Sequence, residues 1–175
     1  MILLLLILIL VAIPFIGAAS LPTNFIIRRE VIIKRPQQQL FDYIKFLKNH
    51  IQFNKWTMTD PNQSLEYRGT DATVGFFAAW DSTNKSVGKG EQEISEITEG
   101  KGVKYTLRFV RPFEDTAGSE LTSEKISDQE TKVIWTFTGK RKYGTKIFHF
   151  IFRLENMLGK DLQTSLGNLK NLLEK

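Results

Sequence analysis

The chain has 175 residues, 42% of them hydrophobic and 25% charged, and a net charge of +5. That length suits one domain plus an appendage, and the composition excludes a disordered chain. With no cysteine and only His50 and His149 as imidazoles, disulfides, thiolate metal centres, thiol nucleophiles and histidine-rich metal sites are excluded too.

Residues 1–19, MILLLLILILVAIPFIGAA, are wholly apolar, and the first charged side chain is Arg28. An apolar run of about 18 residues or more predicts a membrane-spanning helix, in which Pro14 is tolerated. The alternative is a cleaved signal peptide: Gly17-Ala18-Ala19 offers small residues for cleavage, but the basic start of such a peptide is missing. Arg28, Arg29, Lys34 and Arg35 follow the span, which by the positive-inside rule places the folded part in the cytoplasm. The expectation is a single-pass membrane protein that meets the membrane through this segment, with export after cleavage as the alternative.

Residues 20–24 read as a linker. Phe25–Lys34, rich in Ile and Val, predicts a strand. Leu40, Phe41, Ile44 and Leu47 recur at helical spacing behind Pro36 and predict an amphipathic helix over Pro36–Leu47. A short helical or irregular piece carries Ile51, Phe53 and Trp56 before Asp60-Pro61-Asn62 breaks it.

The period then changes to two. Ser64–Thr70, Val74–Asp81, Lys89–Thr98, Val103–Arg111, Ser119–Ser127 and Lys132–Lys140 read as strands separated by short turn-forming clusters, which favours antiparallel hairpins. Tyr105, Leu107 and Phe109 share one face, as do Val133, Trp135 and Phe137. A long helix over Thr145–Lys175 closes the chain, with Ile147, Ile151, Leu154, Leu158, Leu162, Leu166, Leu169 and Leu173 on one stripe. Gly159, in mid-pattern, predicts a kink or a close packing contact. Helices at both ends of an antiparallel run give an α+β fold in which the long helix lies across a curved sheet.

Taken in their order and spacing, Arg29-Glu30-Val31-Ile32-Ile33, Arg35-Pro36 through Ile44, Asn54-Lys55-Trp56, Val74-Gly75 with Trp80, Gly88-Lys89-Gly90-Glu91-Gln92-Glu93-Ile94, Thr131-Lys132-Val133-Ile134-Trp135, Gly159-Lys160-Asp161-Leu162 and Leu166-Gly167-Asn168-Leu169-Lys170 carry a resemblance to the polyketide cyclase/dehydrase branch of the START-like (Bet v 1-like, SRPBCC) superfamily. The resemblance covers residues 25–175 as one domain and implies a helix-grip fold with a deep cavity for a lipid-like or polyketide-like molecule. It implies no particular reaction, because fold analogy carries a ligand class and nothing finer.

Trp56, Phe76, Ala78, Trp80, Leu107, Phe109, Trp135, Phe137, Phe150, Leu154 and Leu158 are the expected apolar lining. Gln92 shares a face with Gly90 and Ile94, and as an inward amide it needs a partner, from protein or ligand. Glu91, Glu93 and Arg108 fall on the opposite, solvated face, and Arg111 is placed at the cavity mouth. His50 reads as a solvated or capping residue, and His149 as a residue of the cavity rim. Gly88-Lys89-Gly90 lacks the ending of a phosphate loop and reads as a strand start where a side chain would obstruct a bulge or the cavity. No catalytic triad, metal site or cofactor motif is present, and the dispersed basic residues do not form a nucleic-acid stripe.

The functional expectation is therefore non-catalytic binding of a small hydrophobic ligand near the membrane. The alternatives are a cyclase, dehydratase or hydrolase using groups such as Gln92, Tyr105 or Arg111, and an interaction protein with a vestigial cavity.

Overall fold

The structure, a computed structural model, describes residues 13–142 and 146–175. Residues 13–20 are helical (α1). There follow β1 (Asn24–Ile33), α2 (Gln37–Ile44), a 3-10 helix (Leu47–Gln52) and α3 (Lys55–Thr59). Six strands come next: β2 (Ser64–Arg68), β3 (Phe77–Asp81), β4 (Lys89–Thr98), β5 (Gly102–Arg111), β6 (Asp115–Lys125) and β7 (Thr131–Lys140). Two helices, α4 (Lys146–Phe152) and α5 (Leu154–Leu173), end the chain.

All seven strands form one antiparallel sheet in the order β1-β7-β6-β5-β4-β3-β2. The short turns read from the sequence make β2 to β7 a run of hairpins, and β1 alone joins across the chain, on the free side of β7. Alternation fixes which side chains face inward: on β4, Gly90, Gln92 and Ile94 are buried, while Glu91 and Glu93 are bridged on the outer face by Arg108 at 2.9 and 2.7 Å. The curved sheet with α5 laid on its inner face is the expected α+β, helix-grip architecture.

The core gathers at one end of the sheet. Leu40, Phe41 and Ile44 of α2 join Ile94, Val103, Leu121 and Val133 of the strands and Leu166 and Leu169 of α5 in one cluster. Each fully buried Leu, Ile or Phe contributes about 1.5–3 kcal/mol relative to exposure. Gln37 pins α2 at this end, its amide donating to the carbonyls of Gly100 at 3.0 Å and Ser123 at 2.8 Å.

Two expectations are corrected. The single helix read over 145–175 is two helices, and the break is not at Gly159. It is at Arg153, whose left-handed backbone (φ 46°) interrupts the apolar stripe. Gly159 is a close packing contact against Arg29, the second of the two outcomes expected for it.

The second correction concerns the membrane anchor and the single-pass placement built on it. No helix among the described residues is long and apolar enough to cross a membrane. A span needs about 20 residues, whereas the helical residues 13–20 dock on the domain: Ala18 is buried and Gly17 lies on the Phe150 ring. Residues 1–12 of the expected anchor lie outside the described residues.

Candidate ligand-binding cavity

Away from the packed end, the space between the sheet and the first turns of α5 is hollow. The cavity measures about 250 Å³. Trp56, Ala78, Trp80, Leu107, Phe109, Trp135, Phe137 and Leu158 line it, as does Gln92. The remaining expected residues stand elsewhere. Phe76 is in the core, stacked on Tyr67 at 6.0 Å; Phe150 is exposed beside α1; Leu154 opens α5 outside the wall.

The wall is built from several elements. On β3, Trp80 sets its indole over Gly90 of β4, where an added Cβ would meet ring atoms at 2.6 and 2.8 Å. The ladder shifts register between Lys89 and Gly90, so the glycine serves both an irregularity and the close approach of a wall aromatic. Phe109 meets the same indole edge-on at 5.9 Å, and Trp80 Nε1 donates to the Val87 carbonyl at 3.2 Å. Trp56 is held by the start of α3: Asn54 Oδ1 caps the helix by accepting from Trp56 N–H at 3.0 Å, and Lys55 N–H donates to Ser165 Oγ on α5 at 2.9 Å. The Lys55 ammonium also pairs with Asp161 of α5.

Most polar groups of the wall are engaged. Gln63 donates to the carbonyls of Thr57 and Asp60, both at 2.9 Å. Arg111, at the cavity edge beside Pro112 as expected, pairs with Asp81. Trp135 Nε1 donates to Ser119 Oγ at 2.8 Å. Gln92 differs. It is only 9% exposed, lines the cavity, and its side-chain amide has no hydrogen-bond partner among the described residues. Among the described residues the sealed polar atoms without a partner are the Tyr43 hydroxyl and His50 Nδ1; the Gln92 amide opens onto the cavity, where a ligand would meet it.

His50 is not the solvated residue expected. It is 4% exposed and lies against the rings of Phe53, Tyr105 and Trp135, with centroids 5.0, 5.3 and 5.9 Å away. Burial depresses its pKa to about 3, so the imidazole is neutral. Its Nε2 stands 3.3 Å from the Tyr105 hydroxyl, and Nδ1 has no partner among the described residues. Tyr105, offered above as a catalytic group, is 1% exposed, lies behind the wall, and has its phenol pKa raised by burial. His149 is not on the wall; it packs against Phe25 at 5.4 Å, with Nδ1 3.3 Å from Glu155.

Sequence reasoning missed His50, Asn54, Leu65, Tyr67, Ser119, Met157 and Leu162 on the wall. A signal existed for some of them. Leu65 and Tyr67 are the register partners of Trp80 and Ala78, so once β3 faces inward its neighbour's residues at those positions do too. Ser119 sits between Ala117 and Leu121 in the inward row of β6.

The sequence matches no protein-family model, and no curated protein matches it. Solved structures do. The Zhui aromatase/cyclase from Streptomyces sp. R1128 is 10% identical, covering 86% of this chain and 94% of its own, with a TM-score of 0.63. The Aha1 dimer from Colwellia psychrerythraea is 15% identical over 86% and 96%, at 0.59, and Ara h 8.0201 is 13% identical over 86% and 97%, at 0.58. At such identities the likeness is one of fold. The chain has the Bet v 1-like, SRPBCC fold.

Proposed function

We propose that the protein binds a small, largely apolar molecule carrying one carbonyl or hydroxyl group inside this cavity, without converting it. The observation that carries the reading is Gln92, a residue nine-tenths buried on an aromatic-lined wall, whose amide has no hydrogen-bond partner among the described residues. An amide offers both donors and an acceptor, so it serves either ligand group. Ser119 Oγ, which accepts from Trp135, keeps its own hydrogen for a second contact.

Size narrows the ligand further. About 250 Å³ exceeds the roughly 150 Å³ that accommodates benzene and lies just below the range of about 300–1,000 Å³ usual for drug-sized ligands. One or two rings suit it better than a sterol or a diacyl lipid. The aromatic wall, and the fold shared with an aromatase/cyclase, favour a ring over a flexible chain. Charge is disfavoured inside, where His50 is neutral and Arg111 is already paired.

The test compares binding of naphthalene, 1-naphthol and 1-naphthoate by calorimetry to wild type and Gln92→Leu. The expected result is that naphthol binds tightest to wild type and loses about tenfold in the variant, in line with one hydrogen bond, while naphthalene is unaffected or gains. No binding of any of the three, or an identical ranking in both proteins, overturns the proposal.

A further inference from the structure

The β1 residues that alternate toward α5 are Phe25, Ile27, Arg29, Val31 and Ile33. Arg29 is the one charged member of that row, half-buried between apolar neighbours. Its guanidinium lies against α5 at Gly159, where an added Cβ would stand 2.8 Å from Cζ. Glycine at that point is what lets the cation reach the helix. Nη1 donates to the Arg28 carbonyl at 2.7 Å, and among the described residues no carboxylate comes within ion-pair distance of Arg29.

Arg29 lines a second, open depression together with Arg153, Asn156, Met157 and Lys160. Neither Arg153 nor Lys160 has an ion-pair partner among the described residues. Nearby carboxylates are engaged elsewhere: Glu155 by Arg141 at 2.8 Å and by His149, Asp161 by Lys55, and Glu30 by Arg28 at 3.8 Å. Three positive charges thus share one depression with no counter-charge, and one of them is seated on an inward strand position. Mutual repulsion and partial desolvation of Arg29 both oppose that arrangement. An oxyanion would relieve both, since a guanidinium fork matches paired oxygens and the Asn156 amide adds another donor.

We propose that Arg29, Arg153, Lys160 and Asn156 form a binding site for a phosphate group. Three cations without a carboxylate balance a dianion better than a monoanion. Met157 lines both this depression and the apolar cavity, so the phosphate has two possible sources: a free anion, or the head of an amphiphile whose apolar part enters the cavity past Met157.

The experiment is an amide-resonance titration of the protein with inorganic phosphate, run against sodium chloride at matched ionic strength. The expected result is a saturable shift confined to the start of α5 and the middle of β1, absent with chloride and weakened at least tenfold in Arg29→Gln. Lys160→Gln, an exposed change that leaves the packing of β1 untouched, is the second variant and should weaken binding several-fold while the melting temperature holds. A response that chloride reproduces, or one that both variants retain, overturns the site. A parallel titration with n-octyl phosphate assigns the source. Tighter binding than phosphate, with Leu158 and Trp80 resonances moving too, identifies an amphiphile's head; equal affinity with the cavity silent identifies a free anion.

Discussion

The imidazole of His50 stands edge-on to the ring of Tyr105, with Nε2 3.3 Å from the phenol oxygen and Nδ1 without a partner among the described residues. This pair is sealed in apolar surroundings, and charging the imidazole there is expensive. In the unfolded chain His50 titrates near its ordinary 6.5, and in the folded protein near 3. The unfolded state therefore binds the proton first. The stability due to a neutral His50 is complete above pH 6.5 and is lost as pH falls toward 3. Between pH 7 and pH 5 the loss is about 2 kcal/mol. Urea melts at the two pH values should show that difference in wild type and lose most of it in His50→Leu. An equal pH dependence in both proteins would mean that His50 is hydrated.

Ala78 is the smallest side chain on the β3 stretch of the wall, and its register partners Tyr67 and Gln92 line the cavity too. Ala78→Phe should occupy much of the hollow, abolish binding of two-ring molecules and cost no more than about 1–3 kcal/mol of overpacking. Calorimetry with 1-naphthol and a thermal melt on the same sample separate lost binding from lost folding.

Gly90 carries the Trp80 indole on one side and lies close to the Arg108 carbonyl, 2.6 Å from where a Cβ would stand, on the other. Neither the strand backbone nor the packed ring can retreat cheaply. Gly90→Ala should destabilise the protein by about 1–3 kcal/mol and displace the indole, which near-ultraviolet circular dichroism would register. A variant as stable as wild type would show that the indole moves freely.

Ser165 is fully buried on α5 and takes the Lys55 N–H into its hydroxyl. Ser165→Ala leaves that N–H without its acceptor, for an expected loss of about 1–2 kcal/mol. The loss should be local. Hydrogen exchange at residues 55–58 should speed up while β5 and β6 amides keep their protection. Uniform acceleration would assign the contact to global stability instead.

The strands were legible because alternation is a local property: Tyr105, Leu107 and Phe109 announce an inward row whatever covers it. The ends of the long helix were less so, since the apolar spacing runs unbroken from Ile147 to Leu173 and nothing in Arg153 signals a left-handed backbone. His50 was misread because its enclosure is made by residues 53, 105 and 135, three stretches that only the fold brings together. For the same reason Phe76 was expected on the wall and Tyr67 was not: the register of β2 on β3 sets Tyr67 opposite Ala78, which lines the cavity, while Phe76, just before β3, is buried in the core. Arg29 was visible in sequence only as half of a basic dipeptide; its inward position depends on β1 pairing with β7 through Arg29↔Trp135.

The chain has three tryptophans, Trp56, Trp80 and Trp135, and all of them border the same hollow. Its indole emission is therefore generated at the rim and floor of one chamber, with no contribution from remote surface. Entry of a molecule would recolour or quench the whole signal instead of a fraction of it, and an aromatic guest absorbing near 330 nm would collect energy from three donors at once. The purified protein is in this sense its own optical gauge of occupancy, readable without a label.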